Sequence, residues 1–502
     1  MKIKKIIFLL LFYLCSASDV FYEDLNVRPL QDGRIDIGFK FTLDSDNINI
    51  NHTNLFPLDL LNLYGKFKFN ELHFTLSKGR WNYVDWHSPQ FNKFGNSGLE
   101  LWSSFDESSD MNFRDLKHSL SSLFCSSFSS HSSINEHIIY VNDKPFYHSQ
   151  ITTQLPCSEN LSPLVSFLPC RTEAGLGQLL NSHKIFDADW YGLGLSIYET
   201  ESGLNLTINI EIIANPTRNN QRRQYSLKSL FDSQINQPCL AADSSIIHFG
   251  LPENSDDPFI VLPEDHKGVL DESSSEILVN VNDINEPPNL SLIWPLNEIF
   301  KYNSNKSKPP ILVTRAKSVG PTSDKFNMIL SIQNTYDYPI DISYFHSIPW
   351  IVKPYLHTMS TTLNGNQFDD LNITNTLGNN YNEPYVFQLN STIPPFSILT
   401  TICLFQRGFL KYNDYPPDIH RGIDLPPGLL FIKNTSYNDD DNKVTYTSPL
   451  LIDLSTPDFS MPYNVIIITS TLIALFYGTI YNIMVRDFIL IPKQPDNKKK
   501  NE

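Results

Sequence analysis

Val465 to Val485 reads VIIITSTLIALFYGTIYNIMV, 21 residues without a charge. As a helix it spans about 31 Å, against a bilayer core of roughly 30 Å. This one run sets the plan of the chain: a single crossing with a large domain region, 19–464, ahead of it. Tyr463, Tyr477 and Tyr481 suit the membrane interfaces, where amphipathic rings are favoured. Arg486, Lys493 and Lys498-Lys499-Lys500 follow, so the positive-inside rule places the tail 486–502 in the cytoplasm.

The N-terminus agrees with that orientation. Met1-Lys2-Ile3-Lys4-Lys5 precedes an apolar run from Ile6 to Leu14, and then Cys15-Ser16-Ala17-Ser18. A basic start, a short apolar stretch and small residues at Ser16 and Ser18 describe a cleaved secretory signal peptide, 1–18. Nine apolar residues reach only about 14 Å as a helix, which is too short for a retained anchor. The competing reading is a buried N-terminal strand. At the other end, Lys499 and Lys500 stand at −4 and −3, the pattern of a dilysine signal for return to the endoplasmic reticulum, read by a receptor. Otherwise they are simply the basic end of a tail.

Between these ends the patterning is that of strands. Arg34–Phe41, Glu71–Leu76 and Leu206–Ile212 alternate apolar and polar residues and are bounded by turn formers. Helical patterns are few: Leu58–Phe67, Phe113–Phe124 and the neighbourhood of Gly177–Leu180. The expected fold is mainly β, with large sandwich-like domains at 19–262 and 263–464 and one C-terminal membrane helix at 465–485. The acidic, Pro-containing stretch Pro252–Glu276 marks the boundary. Of the net charge of −16, three signal lysines and a tail of net +2 are set apart, which leaves −21 on the rest. Such an acidic body excludes a nucleic-acid partner.

Chemistry is sparse. There is no HExxH, CxxC, GxSxG or Walker pattern, and neither a cofactor nor a metal site is expected. Val279–Pro288 resembles the calcium linker between cadherin repeats, which makes a calcium-dependent adhesion or receptor ectodomain the alternative function; the dilysine tail opposes it. Eight Asn-x-Ser/Thr sequons precede the membrane run, at Asn51, Asn160, Asn205, Asn289, Asn305, Asn372, Asn390 and Asn434. Five cysteines remain beyond the signal: Cys125, Cys157, Cys170, Cys239 and Cys403. In an oxidising lumen pairing is expected, and an odd count leaves one thiol free or bonded to another chain.

Several colinear stretches resemble the PIG-T family, the lumenal single-pass subunit of the GPI-anchor transamidase. They include Glu71–Trp81 with Trp86, Glu100-Leu101-Trp102, Leu155–Pro163, and Leu168-Pro169-Cys170. Ile348-Pro349-Trp350, Tyr355–Thr358 and Phe405-Gln406-Arg407 follow, and Leu454–Val465 runs into the membrane helix. The likeness is weakest from about 215 to 325.

The resemblance implies a non-catalytic assembly subunit. In that complex a separate cysteine-protease-like subunit forms a thioester with the proprotein, and the ethanolamine amine of the GPI lipid resolves it. The expected partners are that catalytic subunit, disulfide-linked, and other membrane subunits, with GPI and proprotein engaged indirectly. The cysteine before Glu-Asn-Leu-Ser-Pro, here Cys157, is the one that would make the interchain bond. An ordinary bond to nearby Cys170 is the competing assignment. Cys403 falls where the family has no expected cysteine, so the pairing of the other four stays open. Trp81, Trp86, Trp102 and Trp350 are expected in the core.

Overall fold

The computed structural model describes residues 19–46, 55–91, 97–105, 110–126, 136–141, 144–152, 156–201, 203–216, 218, 224–251, 260–262, 269–271, 276–283, 290–293, 312–320, 324–368, 372–376, 384–408, 410–411, 415, 421–432, 444–454, 460–487 and 490. Strands dominate them, as the alternating runs predict. Arg34–Phe41 falls almost wholly in the strand Ile35–Ser45, Glu71–Leu76 in Phe69–Lys78 and Leu206–Ile212 in Leu204–Ala214.

These three strands lie in one eleven-stranded sheet. From edge to edge it runs Val269–Asp271, Glu276–Asn280, Ser244–Gly250, Val20–Pro29, Ile35–Ser45, Leu204–Ala214, Trp190–Glu199, Phe69–Lys78, Gly98–Phe105, Lys144–Ile151 and Glu136–Val141. Its neighbours are antiparallel except Val20–Pro29 with Ser244–Gly250. Phe39, Phe74, Leu195 and Ile210 form one apolar face. Helices cover it: Leu58–Phe67 through Leu60 and Leu61, Asp110–Leu123 through Phe113 and Leu116, and Ser158–Ser166 through Leu161 and Leu164. The first matches its expected bounds, and the second starts three residues before Phe113. Near Gly177 the chain forms a 3-10 turn, Gly175–Leu179, and a short helix, Ser182–Phe186. The helix Ser158–Ser166 was not expected.

The opposite face is closed by the segment after Gly79. Trp81 packs edge-on to Trp86 and Trp190, with centroids 5.3 and 4.8 Å away, and its indole donates to His87 O at 2.7 Å. Beneath it, fully buried Glu211 accepts from Gln90 N at 2.8 Å. Burial raises the Glu211 carboxyl well above the usual carboxylate range, with Asp36 adding to the effect.

Later strands build a true sandwich. One five-stranded sheet holds Leu312–Val319, Lys325–Asn334, Ile398–Arg407, Val352–Leu363 and Asn366–Gln367. The other holds Asn372–Thr376, Tyr385–Ile393, Ile340–Ile348, Leu429–Ile432 and Val444–Tyr446. Phe326, Leu330, Tyr344, Leu389 and Phe405 fill the space between them. Sheet membership changes between Ile293 and Leu312. The boundary expected at 262/263 falls between Ile260–Leu262 and Val269–Asp271, and both of these strands pair within sheets that contain N-terminal strands.

The chain separates into a β-rich unit ending at Asp453 and a second unit that holds one long helix, Ser460–Val485. Met461–Val485 is long and apolar enough to cross a membrane. The helix begins ahead of Val465 and takes in Pro462. A proline in the first turn costs little, because the N–H it lacks would have no partner there. The side chains of Thr469, Ser470, Thr471 and Thr479 donate to the carbonyls of Val465, Ile467, Ile468 and Leu475 at 2.7–2.9 Å. The helix therefore satisfies these donors without help.

Candidate assembly site

Cys157 sits in extended conformation at the N-cap of Ser158–Ser166, and its residue is exposed. Its backbone is held by Asn160. The Asn160 Oδ1 accepts from Cys157 N at 2.7 Å, and Asn160 N returns a bond to Cys157 O at 3.0 Å. The Asn160 Nδ2 donates to Phe124 O at 2.6 Å. Phe124 is wholly buried against Phe74 and Phe167. One side-chain amide thus ties the helix start to the end of the preceding helix and to the core. The preceding residue is fixed as well, since Tyr191 donates its hydroxyl to Pro156 O at 3.0 Å.

This arrangement alters the role of Asn160. It is 1% exposed and both of its amide atoms are used, so a glycan on Nδ2 cannot coexist with this packing. Asn205 is half-buried and its Nδ2 donates to Asp44. Asn372 is exposed and Asn390 half-buried. Asn51, Asn289, Asn305, Asn434, Lys499 and Lys500 lie outside the described residues, as do the signal segment and residues 284–288 of the cadherin-like stretch.

Of the five cysteines, Cys170 pairs with Cys239, with a Cα–Cα distance of 5.8 Å across 69 positions. The competing partner of Cys157 is therefore engaged elsewhere. Cys125 and Cys157 are exposed thiols and Cys403 is buried. Cys403 donates weakly to Tyr355 O at 3.6 Å, and burial pushes its thiol up to about 11, which makes it inert. The disulfide is seated on a buried carboxyl. Glu23 accepts from Leu176 N at 3.1 Å and Ser245 Oγ at 2.7 Å, and desolvation raises it despite both bonds. Between them lies Gly175 at φ +70°, where a Cβ would stand 2.7 Å from Cys239 Cβ.

A second polar centre, not expected from the sequence, joins the two β regions. Trp102 and Ile139 of the large sheet pack on Phe345, Leu429, Phe431 and Tyr446 of the sandwich. Inside this apolar seam, Glu100 meets His148 Nε2 at 2.6 Å, and His148 Nδ1 meets His137 Nε2 at 2.7 Å. The Tyr446 hydroxyl donates to the other oxygen of Glu100 at 2.9 Å, and the Tyr83 hydroxyl accepts from Tyr446 N at 3.1 Å. Burial pushes the Glu100 carboxyl up to about 8 and the His148 imidazole down to about 3; His137 is lowered as well. The seam is a row of neutral groups, with Glu100 carrying the proton that bridges to His148.

The family described as "Gpi16 subunit, GPI transamidase component" matches residues 5–223 and 209–502, which includes the middle stretch where resemblance was weakest. The chain is 29% identical to the GPI transamidase component PIG-T homolog of Schizosaccharomyces pombe, over 96% of this chain and 93% of that one. It is 25% identical to the human GPI-anchor transamidase component PIGT, over 94% and 91%, and 27% identical to the Saccharomyces cerevisiae GPI transamidase component GPI16, over 93% and 89%. With both β regions and the apolar helix inside the matched span, the chain belongs to the Gpi16 family of GPI transamidase components.

Proposed function

We propose that this chain is a non-catalytic assembly subunit of the GPI transamidase. It holds a cysteine-protease-like catalytic subunit in place through an interchain disulfide at Cys157. Its β-rich body lies in the lumen of the endoplasmic reticulum, its helix crosses the membrane once, and its tail carries the retrieval signal at Lys499 and Lys500. One observation supports the tether most: Cys170 is committed to Cys239, while Cys157 is exposed on a backbone fixed at both sides. A disulfide across an interface makes further contacts intramolecular and raises their effective concentration. It can therefore secure a modest non-covalent interface.

The test is a non-reducing gel of the full chain from its native membrane. A heavier species that is lost on reduction and on Cys157→Ser, but kept in Cys125→Ser, is the expected result. A monomer in the wild type, with no partner in mild-detergent pull-downs, defeats the proposal.

A further inference from the structure

A sheet edge presents unpaired N–H and C=O groups, and folded chains blunt it with short strands, charges, prolines or bulges. Among the described residues, the edge strands Val269–Asp271 and Val444–Tyr446 have three residues each and Asn366–Gln367 has two. Leu312–Val319 carries Arg315 and Lys317, and Asn372–Thr376 is polar except at Ile373. Val352–Leu363, largely open beyond Asn366–Gln367, has Lys353, Pro354 and a bulge after Tyr355. Glu136–Val141 differs. It ends the eleven-stranded sheet with six residues, and beyond Glu136 it reads His-Ile-Ile-Tyr-Val, without Lys, Arg, Pro or a bulge.

The register tells which of its backbone groups are open. Val141 pairs with Lys144 across two residues, so this pair closes the hairpin with hydrogen bonds, and bonded and non-bonded pairs alternate from there. His137, Ile139 and Val141 therefore bond inward to Lys144–Ile151, while Ile138 and Tyr140 direct their N–H and C=O outward. Pro145 agrees, since it has no N–H to give and stands opposite Tyr140 at a non-bonded position. The same two residues have exposed side chains, 38% for Ile138 and 61% for Tyr140. Ile138 lies opposite Tyr147, which stacks on Phe113 within the helix-covered face. The exposed pair thus extends that apolar face past the helix Asp110–Leu123. The helix that starts at Cys157 covers the same face through Leu161 and Leu164. At the Glu136 end of the edge, Cys157 follows Ile151 of the neighbouring strand by six positions, a reach of at most about 20 Å.

We propose that Glu136–Val141 is a strand-addition site for the subunit tethered at Cys157. The inference rests on the tether proposed above. Open backbone groups select an extended segment, and Ile138 and Tyr140 select apolar side chains at alternate positions along it. Hydrogen bonds to these two residues continue the sheet into the partner, and the disulfide on the same face keeps the segment at high effective concentration.

Residue-resolved hydrogen exchange of the full chain in mild detergent, with and without its partner subunits, tests this. Without them, the Ile138 and Tyr140 amides exchange fast and those of His137 and Ile139 slowly. In the complex all four are slow, Ile138 and Tyr140 being slowed by about a hundredfold or more. Ile138→Pro removes one outward N–H and no bond to Lys144–Ile151; in a Cys157→Ser background it lowers recovery of the partner about tenfold. Undiminished recovery overturns the proposal. So do fast Ile138 and Tyr140 amides in the complex, or slow ones in the partner-free chain, where its own residues or a second copy cover the edge. A disulfide-linked species with fast amides defeats strand addition alone, and the lack of any linked species defeats the tether as well. The wild-type exchange decides the matter even where Ile138→Pro fails to fold.

Discussion

Glu100→Gln should remove one limb of the pH dependence of stability. Glu100 titrates at about 8 in the folded chain, against an ordinary value of 4.5, because it is buried in the seam. Below 4.5 both states hold the proton and the contribution of Glu100 is fully present. Between 4.5 and 8 the unfolded chain releases a proton that the folded one keeps, so stability falls by about 1.4 kcal/mol per pH unit. The complete loss is roughly 5 kcal/mol, reached above pH 8. His148 acts in the opposite sense. Its folded value of about 3 lies below 6.5, so stability is lost as pH falls from 6.5 toward 3, and the lowered His137 adds to this. From 4.5 to 6.5 the Glu100 and His148 effects oppose each other, and above 6.5 only Glu100 remains. From pH 6.5 to 8 the seam should therefore lose roughly 2 kcal/mol. Glutamine keeps an acceptor for Tyr446 and a donor for His148 but has no proton to lose. The assay is the thermal midpoint of the full chain in mild detergent, in steps from pH 5 to 8.5, for wild type and Glu100→Gln. Glu23 and Glu211 also have raised values and contribute alkaline slopes of their own, so the difference between the two proteins is what counts. It should widen steadily in favour of the variant from pH 5 to 8, because the His148 contribution is common to both proteins and cancels. A constant difference across that range would refute the neutral, proton-bridged seam.

Three other substitutions probe the assembly site and the helix. Asn160→Ala leaves Cys157 N and Phe124 O without their partner and should cost about 2–3 kcal/mol, read as a lower thermal midpoint and a weaker disulfide-linked band. Cys239→Ser opens a closure of 69 positions, worth about 4 kcal/mol on loop entropy. Denaturant titration should show that loss, and non-reducing peptide mapping should find the released Cys170 thiol. Replacing Thr469, Ser470, Thr471, Thr479 and Asn482 together by Leu should leave a stable, inserted helix, since the four hydroxyls bond only to their own turn. Complex recovery should fall; unchanged recovery would make the helix a plain anchor.

The sequence reveals structure best where one local period decides the outcome. Ile35–Ser45 alternates so regularly that its inward side chains, among them Ile37, Phe39 and Phe41, could be named in advance. The helix Ser158–Ser166 was hidden because Pro163 inside it reads as a break. Tertiary burial of Leu161 and Leu164 outweighs the one bond that the proline forfeits. A signal was present all the same: Asn160 stands at the third helical position, where a side chain can reach back to the N-cap N–H. Its sequon pointed to a surface role instead. The seam had no local signature at all, because Glu100 and Tyr446 lie 346 positions apart. The pairing of Cys170 with Cys239 was equally beyond reach, since spacing permits many pairings and only the fold selects one.

The same geometry explains why an exposed thiol here suits a tether. A disulfide needs its two Cα atoms within about 7 Å and tolerates little distortion. A cysteine on a mobile loop would meet that condition only by giving up conformational freedom, at roughly 1–2 kcal/mol for each residue ordered. At Cys157 that ordering is already complete in the folded chain, through Asn160 on one side and Tyr191 on the other. Both anchors rest on residues of the main core, Phe124 and Tyr191. The backbone of Cys157 is therefore as firm as the large sheet beneath it, and the proposed interchain bond would have only the partner's approach left to fix.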